Sequence, residues 1–194
     1  MGVTEFTRSI LALQNAPRTV IGYHGCSQEA ADHIFAEERF LPSTRAYDWL
    51  GEGFYFWEYA PYRALEWAEQ RCEQEGGNPA VIQATIKLGR CLNLLDIEHI
   101  PGLGRMYDSY VETAGAARLP QNTERGAHFL DREIIDGYCR AVTQRADSPL
   151  QTVRGSFAEG APIYPGSKIL QKAHTQIAVR DTACILRASL VQFP

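Results

Sequence analysis

No run of apolar residues in the 194-residue chain approaches the ~18 that a transmembrane helix needs. The opening stretch, MGVTEFTRSI, has neither the basic region nor the apolar core of a signal peptide, and Phe6 stands where a myristoylation signal needs Ser or Thr. These absences predict a cytoplasmic protein with no membrane partner. Cysteine is sparse and unpatterned: Cys26, Cys72, Cys91, Cys139 and Cys184 are odd in number and include no C-x-x-C pair. Reduced thiols are therefore expected, with neither a disulfide framework nor a zinc knuckle. His24, His33, His99, His128 and His174 are equally dispersed and form no H-E-x-x-H, so no metal site is expected. An excess of one charge is lacking too. A formal charge of -4 and a pI near 5.7 exclude the global basic footprint of a dedicated nucleic-acid binder, although they leave room for a local patch.

What is present, 45% hydrophobic and 22% charged residues, suits one globular domain spanning 1–194. TEFTRSILALQNA has apolar residues at helical spacing and stops before Pro17, predicting a leading helix within 1–17. TVIGYHG reads as a strand. Ser27 is placed to cap the helix that follows, with Glu29 in its first turn and Ala30, Ala31, Ile34 and Phe35 on its apolar face. WLGEGFYFWEYA reads as an aromatic strand entered through a glycine turn, and Pro61 opens the next helix. AVIQATIKLGRCLNLLD suits two short strands or one bent at Gly89. Helical patterns run over about 103–113 and 128–145. GSFAEGAPIYPGSK is a long Gly/Pro/Ser loop of the kind that carries function, and HTQIAVRD and ACILRASLVQF close the chain as strands. Strands at both ends without regular βαβ alternation predict an α+β class.

The chemistry is concentrated at ordered points. His24-Gly25 stands where a strand gives way to a helix, and G51-E-G-F-Y-F56 follows some thirty positions later, ahead of the helix that opens PYRALEWA. Each piece alone has a plain structural reading: a histidine in the fold, a turn, a close backbone approach. In this order, they resemble the poly(ADP-ribose) polymerase-like, diphtheria-toxin-type ADP-ribosyltransferases. That family's first two signatures match His24-Gly25 and Gly53-Phe54-Tyr55-Phe56. Its third, a strand beginning near a catalytic Glu, is matched by TQIAVRDTACIL, which places Gln176 where the Glu would stand.

The resemblance implies two small, mainly antiparallel sheets forming a cleft for NAD as co-substrate, with no metal. It implies that His24 hydrogen-bonds the adenosine-side ribose and that Gly25 backbone groups clamp the nicotinamide carboxamide. Cys26 occupies the position of a carboxamide-binding Ser, Gly53 lies at the cleft, and Tyr55 stacks on the nicotinamide ring. The residue types suit these tasks: imidazole can donate or accept to a hydroxyl, Gly admits close approach, and an aromatic face suits a flat cation. Gln176 would accept from the nicotinamide-ribose 2'-hydroxyl through its carbonyl but cannot take a proton, so single transfer or hydrolysis is expected and no polymer. Glu159 in the SFAEGAPIY loop is the candidate base, with a solvated loop charge as its alternative. His174, two residues before Gln176 on the same strand face, is the candidate acceptor-selecting residue or else a half-buried strand histidine. Arg180 would reach the pyrophosphate or simply pair with a carboxylate.

The expected activity is mono-ADP-ribosyl transfer to a macromolecule, in a bacterial toxin, defence or effector enzyme acting in its own or a target cytoplasm. A protein acceptor is preferred to nucleic acid because the balance is acidic, and an inhibitory partner is compatible with such a role. The alternatives are an NAD glycohydrolase and a silent NAD or ADP-ribose binding module. The aromatic group Trp57, Tyr59, Tyr62 and Trp67 is expected to pack against the sheet, and EWAEQRCEQE to be a solvated helix face.

Overall fold

The computed structural model describes residues 18–43, 48–123, 127–146 and 148–194; the expected leading helix lies outside them. Among the described residues, seven strands and four α-helices follow one another as β1 (Thr19–Ser27), α1 (Gln28–Glu37), β2 (Phe54–Glu58), α2 (Pro61–Glu75), β3 (Pro79–Lys87), β4 (Cys91–Asn93), α3 (Ile100–Ala114), α4 (Phe129–Ala146), β5 (Thr152–Phe157), β6 (His174–Val179) and β7 (Ile185–Leu190). The class is α+β, as the pattern predicts. Ser27 caps α1 by accepting from the Ala30 amide at 3.2 Å, and Glu38, in the left-handed region at φ 48°, ends it. Pro61 stands at the start of α2, where its missing N–H is no loss. No helix among the described residues is long and apolar enough to cross a membrane.

The strands form one sheet in the order β4-β5-β6-β2-β1-β3-β7, which corrects the expected pair of small sheets. All pairings are antiparallel except β4 with β5. Gly89, at φ 59°, separates the nine-residue β3 from the three-residue β4 so completely that they lie in opposite halves of the sheet. The expected loop beginning at Gly155 starts later, because Gly155, Ser156 and Phe157 belong to β5. Their pairing with Gln176, Thr175 and His174 is a long-range contact that local composition does not register.

The join between the halves is narrow. β1 and β2 pair only through Gly22 with Glu58 and Tyr23 with Trp57, whereas β1 and β3 pair over nine positions, from Thr19–Lys87 to Ser27–Pro79. Beyond Tyr23 the strands part. One face of the sheet buries Phe54, Phe56, Ala84, Ile86, Ile177 and Val179, and α1 packs there through Ala31 against Cys26 and Ile82. On the other face α4 covers one half, with Ile135 and Cys139 against Val153 and Ala178, and α2 covers the other, with Ala64 against Trp57 and Val81. The strip of β2 and β6 between those two helices is left as the floor of a cavity.

Candidate functional site

That cavity, about 660 Å³, is lined by His24 at the parted strands, by Tyr55, Trp57 and Gln176 on the floor, by Arg63, Trp67, Gln70 and Arg71 from α2, and by Glu159 and Lys172 from the two ends of the β5–β6 connection. Its size falls within the ~300–1,000 Å³ of small-molecule and cofactor sites. Tyr55 and Trp57 alternate with the buried Phe54 and Phe56 along β2, so the period-2 pleat is what turns them toward the cavity. Gln176 is the cross-strand partner of Trp57 and therefore shares its face.

His24 Nδ1 lies 2.8 Å from the Tyr55 carbonyl oxygen. A carbonyl only accepts, so Nδ1 carries the proton. Burial lowers the imidazole pKa to about 4 despite that bond, so the ring is neutral and Nε2 is an acceptor. Phe54, with its centroid 4.2 Å from the imidazole, holds the other side of the ring.

The backbone of β1 gives Gly25 a defined orientation. Ile21 O accepts from Tyr59 N at 3.0 Å and Val81 O accepts from Val191 N at 2.9 Å. Odd residues of β1 therefore turn their amide groups toward β2, and Gly25, the partner of Val81, aims its N–H and C=O into the gap beyond Trp57. The Tyr55 carbonyl, which would meet Gly25 in an unbroken ladder, is held by His24 instead. Gly25 has a structural task as well: a Cβ there would come within 2.0 Å of the Ala64 carbonyl oxygen, so only Gly lets α2 lie against β1.

The Tyr55 hydroxyl accepts from Leu50 N at 2.9 Å and donates to Gly51 O at 2.6 Å, so its ring braces the turn that brings Asp48 and Trp49 to the cavity. Burial raises its pKa far above the ordinary phenol value, and the phenol stays protonated.

A chain of ion pairs fastens the β5–β6 connection to α2. Arg63 Nη2 donates to Glu159 Oε2 at 2.9 Å, Arg63 Nη1 pairs with Glu66, and Lys172 Nζ pairs with the other oxygen of Glu66. Lys172, with Arg63, holds the Glu66 carboxyl below its ordinary pKa. Backbone bonds from Lys172 N to Glu159 O, Gln171 N to Ala161 O and Ile163 N to Ile169 O make the connection an irregular hairpin. Glu159 is thus a fixed wall of the cavity rather than a solvated loop charge.

His24, Tyr55, Gln176 and Glu159 are brought together; other expected site residues are not. Cys26 is buried among Ala31, Ala80 and Ile82, away from the cavity, and burial pushes its thiol up to about 11. Gly53 bridges to Ser43, and a Cβ there would lie 3.0 Å from the Ala178 Cβ, so it serves close strand packing. Arg180 lies past the end of β6. Its Nη1 donates to Asp136 Oδ1 at 2.6 Å and to Glu52 O at 3.0 Å, while Asp136 also accepts from Glu52 N at 3.0 Å. Arg180 steadies the glycine turn and does not face the cavity. His174 is buried behind Glu159, its Nδ1 donating to Lys172 O at 2.7 Å and lying 3.9 Å from Glu159. Burial lowers its pKa, so this contact is not an ion pair at neutral pH.

Sequence reading missed Arg63, Arg71 and Lys172, and assigned Trp57 and Trp67 to packing alone. Trp57 is 6% exposed and packed as expected, but Trp67 is 41% exposed at the cavity, and Tyr59 and Tyr62 face solvent. The usable signal was helical spacing: 63, 67, 70 and 71 form one stripe of α2 once Pro61 is taken as its start.

No protein-family model matches the chain. An uncharacterized protein of Methanocaldococcus jannaschii is 33% identical over 119 residues, covering 59% of this chain and 53% of that protein; the chain thus spans about half the length of this curated relative.

Proposed function

We propose that the chain is an NAD-dependent mono-ADP-ribosyltransferase with an ADP-ribosyltransferase fold. The observation that carries this reading is the parting of β1 from β2 at His24-Gly25, directly beside a cavity floored by Tyr55 and Gln176. A neutral His24 with Nε2 as acceptor suits a ribose hydroxyl, and the Gly25 amide groups suit a planar carboxamide. Tyr55, its hydroxyl tied back to residues 50 and 51, offers a rigid ring to a flat heteroaromatic leaving group.

In the reaction, the bond between the anomeric carbon and nicotinamide breaks, nicotinamide leaves with the bonding electrons, and the acceptor nucleophile bonds to that carbon. The protein's part is orientation and polar support rather than strong base chemistry. Gln176 is placed to accept from the ribose 2'-hydroxyl. Glu159, a cavity-wall carboxylate held by Arg63, receives the acceptor's proton. The acceptor is a macromolecule, with protein favoured: among the described residues at the rim, Arg63, Arg71 and Lys172 are paired with carboxylates. Action in a cytoplasm and the presence of an inhibitory partner belong to the same proposal.

The test is release of nicotinamide from NAD by the purified protein, alone and with cell lysate pretreated with protease or nuclease. Release that requires lysate supports the transferase, and the pretreatment that abolishes it identifies the acceptor class. Release without lysate makes the protein a glycohydrolase, and NAD binding with no release under any condition makes it a binding module.

A further inference from the structure

α3 is amphipathic, yet none of its 15 residues is buried. It meets α4 through two contacts of one kind. The Tyr138 ring lies on Gly102, where a Cβ would come within 2.6 Å of Cε2, and the Tyr110 ring lies on Gly137, where a Cβ would come within 2.7 Å of Oη. Both rings are pinned: Tyr138 Oη is 3.2 Å from His99 Nδ1, and Tyr110 Oη donates to Glu133 Oε1 and accepts from Arg140 Nη2, each at 3.0 Å. A phenol ring seated on glycine at each contact fixes how α3 lies and keeps it from rolling inward to cover its own apolar side chains.

Beside this crossing, Leu103 and Tyr107 of α3, Leu130 and Ile134 of α4 and Phe157 of β5 line a second cavity, of about 380 Å³. Packed interiors leave few voids larger than a water molecule, so an apolar space of this size between fixed walls is a built pocket, and its volume lies at the lower end of small-molecule sites. A single turn of a partner's helix, ~10 Å wide and ~5.4 Å long, already exceeds it; a molecule of two fused rings fits. No described lining residue is a cation, so a carboxylate or phosphate would enter without a counter-charge. Trp49, Tyr107 and Phe157 offer ring faces, and Asp131 and Ser156 offer acceptors to one O–H or N–H. Trp49 also lines the first cavity, with its ring centroid 4.4 Å from that of Phe157.

We propose that the cavity beside the α3–α4 crossing is a second ligand site, for an uncharged aromatic molecule of two fused rings carrying one hydrogen-bond donor, with Trp49 as the wall it shares with the first cavity. Occupancy of this site does not depend on what the first cavity binds.

The test is calorimetric titration of the intact protein with 2-naphthol and with 2-naphthoate, which has the same rings and a negative charge. A single 2-naphthol per chain is expected to bind, with 2-naphthoate about 10-fold weaker or more. In NMR spectra of the unmutated protein, the methyl resonances of Leu103, Leu130 and Ile134 and the Trp49 indole N–H resonance are expected to shift on adding 2-naphthol, while the methyls of Ile163 and Ile169, which are exposed on the β5–β6 connection, stay in place. Leu103→Trp, which puts an indole into the cavity, is expected to weaken 2-naphthol binding about 10-fold or more without lowering the thermal midpoint; the NMR readout stands if that variant fails to fold. Absent 2-naphthol binding, shifts as large at Ile163 and Ile169 as at Leu103, 2-naphthoate binding as tightly as 2-naphthol, or undiminished affinity in a folded Leu103→Trp each overturns the site. Sedimentation showing a dimer that binds no 2-naphthol and that Leu103→Trp dissociates would also overturn it, giving this face to a second copy of the chain.

Discussion

The imidazole of His24 donates through Nδ1 to the Tyr55 carbonyl at 2.8 Å, in place of the backbone bond that would have continued β1 against β2. One side chain thereby satisfies the strand end and opens the sheet, and the ring nitrogen left facing the cavity is an acceptor. The arrangement requires His24 to remain neutral in the folded protein.

Stability should therefore fall in acid. The folded pKa of His24 is about 4 against an ordinary 6.5, so between these values the unfolded chain binds a proton that the folded chain does not. The contribution is fully present above pH 6.5 and is lost progressively as pH drops toward 4, by roughly 3 kcal/mol at most. His174, lowered by burial too, acts with the same sign. Urea unfolding between pH 7 and 4 should show the loss, and His24→Asn should reduce its slope; an unchanged slope would mean that His24 is already protonated in the fold.

Gly25→Ala should destabilise by about 3 kcal/mol or more, because the added carbon would meet the Ala64 carbonyl, a backbone atom that can yield only by moving α2. Since α2 carries Arg63, ligand binding should fail along with stability. Thermal unfolding measures the effect, and a midpoint within a degree of wild type would contradict the packing.

Glu58 accepts both forks of Arg154, from Nε at 2.5 Å and Nη2 at 2.9 Å, and its side chain is 6% exposed. Glu58→Gln should cost about 3 kcal/mol, since it leaves a largely buried guanidinium without its counter-charge. Replacing both residues by apolar ones should recover most of that loss in a denaturant titration. If the double variant is as unstable as the single one, the pair contributes through packing and not through charge.

Gln176→Ala should slow nicotinamide release by on the order of 10²–10³, and Glu159→Gln should slow transfer to an acceptor by ~10² or more while hydrolysis suffers less. Both rates come from the same nicotinamide assay with and without lysate. Should Glu159→Gln turn over normally while Gln176→Ala is dead, Glu159 is not the base.

Much of the site was legible because its signals are local. A strand followed by Ser27 as a cap, an aromatic alternation after glycines, and a proline at a helix start are each written within a few residues, and they bring His24 and Tyr55 to the cavity. The resemblance points Cys26 and Gly53 at the cavity, and the strand period points Arg180 there, on the face of Gln176. In the fold the pleat turns Cys26 into the core, the approach of β6 occupies Gly53, and Asp136, 44 residues away, captures Arg180. Trp57 is as buried as expected, and the pleat of β2 turns it to the cavity floor beside Tyr55.

By itself the sequence determined the α+β class, the principal helices, most strand positions and the His-Gly corner, because capping, pleat period and turn chemistry act between near neighbours. The tertiary structure alone decided that the two halves of the seven-stranded sheet join at β1 and β2 through two residue pairs, that α2 and α4 leave β2 and β6 uncovered between them, and that Arg63, Glu66, Glu159 and Lys172 meet across 106 residues. Those outcomes depend on which long-range contacts bury apolar surface and satisfy charge together, and no short window of sequence contains both partners.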